Sequence, residues 1–397
     1  MHLEKLRRFI KENFSILSTF MIYVQLYISS SAPLYSSDEF TFCLGALNRK
    51  TFLNCKPNTI NKIDNILKIW YSLCMGLKEN IYQKLDASRG TAFSGEELAE
   101  EFGVSRAAVW KAVRTLRAEG FSIAAGTNRG YSLAPLDDNL TVSGVQKYLE
   151  DGFFLNVLPS CTSTNDEVKK LAAEGAPAWT AVLAEEQTAG RGRYARPFYS
   201  PRGAGLYISV LIRPNLPAAE TLFITTSAAV AVCEAIEKVA DVHTEIKWVN
   251  DVFLGGKKVC GILTEAAFNV ESGGLDYAIV GIGINVTRHG FPAELEGIAT
   301  SVFEDTPPAD VRARLAAQLL KSLKRYVEGI SVRSFYEEYK RRSFVLGKRV
   351  LAVSGDFSRE GVAIDLDENC FLKIRFDDGS ERLLSSGEVS IRIKTGD

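Results

Sequence analysis

Residues 185–210, EEQTAGRGRYARPFYSPRGAGLYISV, set Arg191, Arg193, Arg196 and Arg202 among Gly190, Gly192, Gly203 and Gly205. Glycine lets a main chain approach a ligand closely and expose its N–H groups. The guanidinium is a permanently charged planar fork that suits carboxylate and phosphate. Together they predict a loop that wraps an anion. Two more stretches offer compatible chemistry. TEIKWVND, 244–251, is a strand carrying Lys247 into a turn at Asn250 and Asp251, followed by a hairpin into Gly261. LPSCTSTNDEV, 158–168, leaves a strand and opens a helix with Ser163, Thr164 and Asn165 at its mouth, where hydroxyls and free N–H groups bind polar ligands. Taken alone, the Ser-Thr-Asn triplet is more often a plain N-cap. Gln187 ends the strand-like AVLAEEQ. Phosphate loops of the GK[ST] type are excluded: none follows the arginine run, and Val259 replaces the hydroxyl residue after GGKK at 255–258. Gly281 and Gly283 lack the third glycine of a dinucleotide fingerprint.

Composition narrows the chemistry further. The chain has 397 residues and a formal net charge of −1, so any nucleic-acid contact must be a local patch. This length allows roughly two or three domains. Seven scattered cysteines with no CxxC pair fit free thiols in a reducing cytosol. With only His2, His243 and His289, no metal centre and no Ser-His-Asp arrangement is expected. The work falls to lysine, arginine and backbone donors.

The elements that must position these groups begin near residue 76. Residues 1–75 are rich in Ile, Asn, Phe and Tyr, and their uncharged run at 14–32 follows a basic start. Three readings stand: an upstream extension from a misassigned start codon, which the break in composition at Met75 favours, a membrane anchor, or a disordered leader. From 76 to 136 the pattern is a winged helix-turn-helix. Leu77, Ile81 and Leu85 keep helical spacing, Ser94 and Glu97 form a capping box, and Gly103 ends the second helix. Ser105 caps a third helix that offers Arg106, Trp110, Lys111 and Arg114, and a hairpin follows with Arg129 at its tip. A basic helical face is usually just solvated, but cap, turn, basic helix and wing in this order favour DNA. Residues 346–397 alternate apolar and polar positions in short runs, broken by turns at 367–369 and 377–379, which predicts a small antiparallel barrel. Between them, 137–345 mixes strands and helices. The fold class is α+β.

The arginine–glycine loop, KWVND and GIGIN, in this order, resemble the biotin–protein ligases from about residue 76 to the end. With a winged helix in front, the chain is similar to their bifunctional form, the biotin operon repressors. In that family the loop reads GRGRxG, the lysine motif KWPND and the strand GxGIN. Here Ala195 stands for the loop's last glycine, Val249 for the proline and Phe198 for a common tryptophan. The resemblance implies a mixed α/β catalytic domain followed by an SH3-like barrel. It implies that biotin's carboxylate is activated with ATP and Mg²⁺ to biotinyl-5'-AMP, and that a lysine of biotin carboxyl carrier protein then displaces AMP. It places Ser163, Thr164, Asn165, Gln187, Gly190, Arg191, Arg193, Lys247 and Gly261 around biotin, and Arg193, Phe198, Lys247, Asn250 and Asn285 around ATP. Lys247 and Arg193 take the catalytic roles, with no residue assigned as a metal ligand. Ser105, Arg106, Trp110, Lys111, Arg114 and Arg129 would contact operator DNA, with a homodimer forming when the adenylate is bound. The expected location is cytoplasmic. Two alternatives remain open: a ligase whose winged helix has no repressor role, and a ligand-sensing transcription factor that catalyses nothing. The retained Arg191, Arg193 and Lys247 argue against the second. Lipoate ligases share the catalytic fold, but the loop, the lysine motif and the terminal barrel favour biotin.

Overall fold

The structure is a computed structural model that describes residues 76–126, 130–135, 137–268, 274–304, 306–354 and 357–391. The leader and Arg129 lie outside the described residues. Three helices, α1 (Leu77–Ala87), α2 (Gly95–Phe102) and α3 (Arg106–Ala118), are followed by the hairpin β1 (Ile123–Gly126) and β2 (Gly130–Leu133). They close over their own core of Ile81, Tyr82, Leu85, Leu98, Val109, Leu116, Phe121, Ile123 and Leu133. The caps are those the sequence predicts. Ser94 and Glu97 bond each other's backbone N–H, Gly103 takes the left-handed conformation at φ 64°, and Ser105 accepts from Ala108 N at 3.2 Å.

A short helix, α4 (Val142–Gln146), leads into a seven-stranded sheet built from β3 (Phe154–Leu158), β4 (Thr180–Ala184), β5 (Gly205–Ile212), β6 (Thr244–Lys247), β7 (Asp251–Leu254), β8 (Lys257–Phe268) and β9 (Leu275–Asn285). Its order is β3-β4-β5-β9-β8-β7-β6; only β3 and β4 run parallel. Alternation along the strands decides which helix each face receives. Leu183, Val210, Ile212, Ala278 and Val280 join α6 (Leu222–Val239) and α7 (Val311–Glu328) in the main core. Their neighbours Val182, Leu211 and Ile279 turn to the opposite face and meet Val168 and Ala172 of α5 (Thr164–Ala173). Among the described residues, one segment, Ala218–Val239, is long and apolar enough to cross a membrane by composition. It contains α6, most of whose residues are packed in this core.

After α8 (Tyr336–Arg342) come β10 (Arg349–Ser354), β11 (Phe357–Leu366), β12 (Leu372–Arg375), β13 (Glu381–Leu384) and β14 (Glu388–Ile391), an antiparallel sheet of order β13-β12-β11-β10-β14. Its hydrogen-bonded order is open, with β13 and β14 as the two edges. Its apolar face, including Val350, Ala363, Leu372 and Ile374, is continuous with the main core. Trp248 donates from Nε1 to the Cys370 carbonyl at 2.9 Å, and Tyr339 donates to the Val249 carbonyl at 3.0 Å. These two bonds pin the turn that follows Lys247.

The β6 edge of the seven-stranded sheet is fixed electrostatically. Glu237 of α6 accepts from Arg342 Nη1 at 2.6 Å and Nη2 at 2.9 Å, and from Thr244 N and Oγ1 at 2.9 Å. Burial opposes ionisation of Glu237, but these bonds hold its carboxyl at about 2, below its ordinary 4.5. The folded value lies below the unfolded one, so the stabilisation is present above about pH 4.5 and is lost as pH falls toward 2, an effect of about 2 kcal/mol after solvent screening. Acid melting curves should therefore fall less steeply over that window for Glu237→Gln than for the unaltered chain; parallel curves would exclude this contribution.

Candidate functional site

The loop, the lysine strand and the mouth of α5 face one cavity of about 260 Å³. Ser163, Thr164, Asn165, Gln187, Arg191, Arg193, Phe198, Lys247, Asn250 and Gly261 line it. Gly190 and Asn285 are not among the lining residues. Gly190 sits behind the wall, where a Cβ would stand 2.6 Å from the Phe198 carbonyl. Asn285 ends β9 and donates to the Thr300 carbonyl at 3.0 Å, tying down that segment.

One end of the cavity is uncharged and tightly held. Ser163, Thr164 and Asn165 are each 4% exposed. Ser163 occupies the cap position of α5 without making a capping bond. Gln187 does that work from a distance: its Oε1 accepts from Thr164 N at 2.9 Å, and its Nε2 donates to Ser200 Oγ at 3.0 Å. A parallel bridge between Cys161 and Gln187 brings the two segments together. Burial, with Glu167 and Asp166 nearby, pushes the Cys161 thiol up to about 11, so it is no nucleophile at neutral pH.

The other end is cationic, and its cations have partners. Arg191 Nη2 lies 2.5 Å from Asp166 Oδ1, and Arg193 Nη1 donates to Asn250 Oδ1 at 3.1 Å. Asn250 is itself oriented by donating from Nδ2 to the Ile262 carbonyl at 2.8 Å. Lys247 is half-buried, with Nζ 5.8 Å from the centroid of Phe253. The loop closes on itself through Gly192 N to Arg196 O and Phe198 N to Gly190 O, both 2.8 Å. Tyr194 and Ala195 take φ of 56° and 55° there, so Ala195 adopts the left-handed backbone that a glycine would favour.

Sequence reasoning missed three features of this site. Lys258 and Asp251 line the cavity as an ion pair at 2.7 Å. The paired glycines at 255 and 256 gave the available signal, because such a hairpin sets 258 opposite 253, diagonal to 251. Arg196, one of the cations of the predicted anion-wrapping loop, lines the cavity as well. Val389 arrives there from the C-terminal sheet, which no local pattern reveals. The glycines of GIGIN are clearances: a Cβ on Gly281 would lie 2.1 Å from Asn165 Oδ1, and one on Gly283 2.4 Å from the Phe198 ring.

On α3 the residues predicted to meet DNA share one exposed face. Trp110 is 53% exposed, and Arg114 stacks over it at 4.7 Å. Lys111 is exposed, and exposed Arg106 lies 3.6 Å from Glu96. Ser105 Oγ is occupied as the helix cap.

Gly283→Ala should displace the Phe198 ring and lower the affinity of the cavity for its ligands about tenfold, while the fold persists. Because the two side chains compete for one space, Gly283→Ala should cost little more in a Phe198→Ala background. Additive losses in ligand titrations of the three variants would refute the clearance role.

Comparison with known proteins agrees with this geometry. The Biotin/lipoate A/B protein ligase family matches residues 157–285, an HTH domain 78–132, and the Biotin protein ligase C terminal domain 345–392. The bifunctional ligase/repressor BirA of Bacillus subtilis is 32% identical over 321 residues, 78% of this chain and 97% of that protein. The protein of the same name from Escherichia coli is 28% identical, over 77% of this chain and 94% of its own length. The biotin protein ligase of Aquifex aeolicus, solved in complex with biotin and ATP, is similar with a TM-score of 0.51 and 31% identity, covering 60% of this chain and 98% of its own. A central ligase fold, an N-terminal helix-turn-helix and a C-terminal β-sheet domain thus occur together in a chain that matches relatives named bifunctional ligase/repressor over nearly their whole length, and the chain belongs to the bifunctional biotin–protein ligase and repressor family.

Proposed function

We propose that this chain activates biotin with ATP, transfers it to a lysine of biotin carboxyl carrier protein, and represses biotin genes when it carries the adenylate. The observation that carries this reading is one cavity with an uncharged, hydrogen-bonding end and a cationic end fed by three separate elements. A neutral cyclic urea suits the first end. A carboxylate meeting a triphosphate needs the second.

In the proposed reaction a carboxylate oxygen of biotin attacks the α-phosphorus of ATP. A C–O–P bond forms, the bond between the α-phosphorus and the α–β bridging oxygen breaks, and pyrophosphate leaves. Lys247 neutralises the charge that grows between carboxylate and α-phosphate. Arg191 and Arg193 exchange Asp166 and Asn250 for the ligand's anionic oxygens. Phe198 and Asn250 contact the nucleotide, and Asn285 supports the adenine side by holding the segment beginning at Thr300. In transfer, the carrier lysine's neutral amine attacks the acyl carbon, its proton passes to solvent, and AMP departs with the electrons of the acyl C–O bond. No covalent enzyme intermediate is required.

The residues fit a Mg²⁺ held by the phosphates. Among the described residues no three His, Cys, Asp or Glu side chains cluster to hold a metal. Asp251 does line the wall, its buried Oδ1 paired with Lys258 but accepting no directed hydrogen bond. Mg²⁺ keeps one or two carboxylates plus phosphate and water, so Asp251 would be its protein ligand, and the ion would screen the departing pyrophosphate.

We read the C-terminal sheet as an SH3-like barrel that supports nucleotide and carrier binding through Val389 and its contacts with Trp248. The proposed divisions are 76–136, 137–345 and 346–397, in a cytoplasmic protein. One winged helix is a small basic patch, and two copies joined in an adenylate-bound homodimer would read two operator half-sites together.

Incubation with ATP, Mg²⁺, labelled biotin and a carrier domain tests the enzyme directly; unlabelled carrier would overturn it. Lys247→Ala should slow adenylate formation about 100- to 1000-fold while biotin still binds, and near-normal pyrophosphate release would remove Lys247 from the mechanism. Arg114→Ala should weaken operator binding in gel-shift titrations and leave ligation unchanged. Unaltered operator affinity would take the exposed face of α3 out of the DNA contact.

A further inference from the structure

Behind the uncharged end of the cavity lies a chain of polar groups that the reaction above does not use. Glu265 of β8 does not line the cavity, yet its Oε2 accepts from Asn165 Nδ2 at 2.6 Å. The Leu263 carbonyl faces the same nitrogen at 3.5 Å. A carboxylate and a carbonyl only accept, so the amide nitrogen of Asn165 must point at them. Its Oδ1 is then turned toward Ser209, whose Oγ lies 2.6 Å away. Ser209 is fully buried, and its Oγ is also 2.7 Å from Thr164 Oγ1.

A serine hydroxyl has one proton. Asn165 Oδ1 cannot donate, so the Ser209 proton goes to it. The contact between Ser209 and Thr164 must then use the Thr164 proton. Gln187 Oε1 accepts from Thr164 N at 2.9 Å and lies 3.1 Å from Thr164 Oγ1, a longer contact than the 2.7 Å one to Ser209, which therefore takes the Thr164 proton. The donors thus run in one direction, from Thr164 to Ser209 to Asn165 to Glu265. Thr164, which lines the cavity, is left with Oγ1 lone pairs to offer a ligand.

On the reading that this cavity takes biotin, we propose that Glu265 is a positioning residue that fixes this proton order, so that Thr164 accepts a hydrogen bond from a ureido N–H and the cavity discriminates for a ligand that donates there. Replacing the carboxylate with an amide removes the direction. Glu265→Gln can donate as well as accept, which lets Asn165 turn over and Ser209 donate to Thr164, so that one Thr164 lone pair is used up and its proton, no longer held by Ser209, is shared between Gln187 Oε1 and the ligand.

The test is ATP–pyrophosphate exchange by the full chain, run with biotin and with a cyclic-carbamate analogue in which oxygen replaces the ureido N–H facing Thr164. Glu265→Gln should raise the KM for biotin about tenfold, the scale of losing a directed polar contact, with kcat and the KM for ATP unchanged. Against the carbamate the same variant should lose almost nothing, because the donor it mispositions for is absent. Ser209→Ala breaks the same chain and should show the same selective loss, so the test survives if Glu265→Gln does not fold. An unchanged biotin KM, or equal losses for biotin and carbamate, overturns the assignment. Absence of biotin-dependent exchange in the unaltered chain overturns instead the reading of the cavity on which it rests.

Discussion

The constraint on which this site depends is the gathering of like charges. Arg191, Arg193, Arg196, Lys247 and Lys258 all border one cavity, and two unit charges 4 Å apart repel by about 4 kcal/mol at a surface-like dielectric. Such a cluster is eased when its cations are ion-paired or hydrogen-bonded before the ligand arrives. Asp166 serves Arg191, Asn250 serves Arg193, and Asp251 serves Lys258. These partners come from α5, from the turn after β6 and from β7. The sheet and its covering helix must therefore bring together carboxylates and amides as well as cations. The same partners keep the arginine forks oriented, which lowers the cost of reorganisation when an anionic ligand replaces them.

Backbone clearance is the second requirement. β5, β9 and β8 are neighbours in the sheet, and β9 runs directly beneath the cavity. Any side chain at 281 or 283 would collide with Asn165 or Phe198. The GIG run thus makes the cavity floor flat enough for α5 and the loop to descend on it. Ala195 shows the opposite case. It holds a left-handed backbone that costs an L-residue roughly 1 kcal/mol, and the two 2.8 Å backbone bonds across the loop hold it there.

The elements were legible where period and caps agree. Ser94, Glu97 and Gly103 bound α2, Ser105 opens α3, and YAIVGIGIN is a buried strand. Most of the uncharged end was legible too, because Ser163, Thr164 and Gln187 sit at ends of elements, where sequence signals are strongest. The supporting layer was not. Ser209 lies in a strand of eight buried residues and reads as ordinary core, and Glu265 reads as a polar break in a strand. Their function comes from the register between α5, β5 and β8, a long-range relation that local pattern does not encode. The C-terminal sheet shows a similar limit. Alternation predicted its strands, but whether its edges meet depends on twist and on contacts outside it.

The winged helix is tied to the site by charge as well as by a linker. Arg89, at the end of α1, donates to Asp86, to the Asp137 carbonyl and to Asp310. Lys147 lies 3.5 Å from the same Asp310. Two residues on, Arg312 is 2% exposed and bonds both Asp138 at 2.9 Å and Glu185 at 2.7 Å. Glu185 also accepts from Leu140 N at 2.6 Å, and it stands two residues before Gln187, which clamps the mouth of α5. Removing one partner from such a buried group costs about 3–5 kcal/mol. A tilt of the winged helix must therefore either leave the Arg312 cluster intact or pull on the strand end that holds Gln187. The first course keeps the DNA-binding face in fixed register with the catalytic sheet, and the second makes its position depend on what occupies the cavity. The linker lies between two anchored ends, so orientation is set by these ion pairs rather than by chain flexibility.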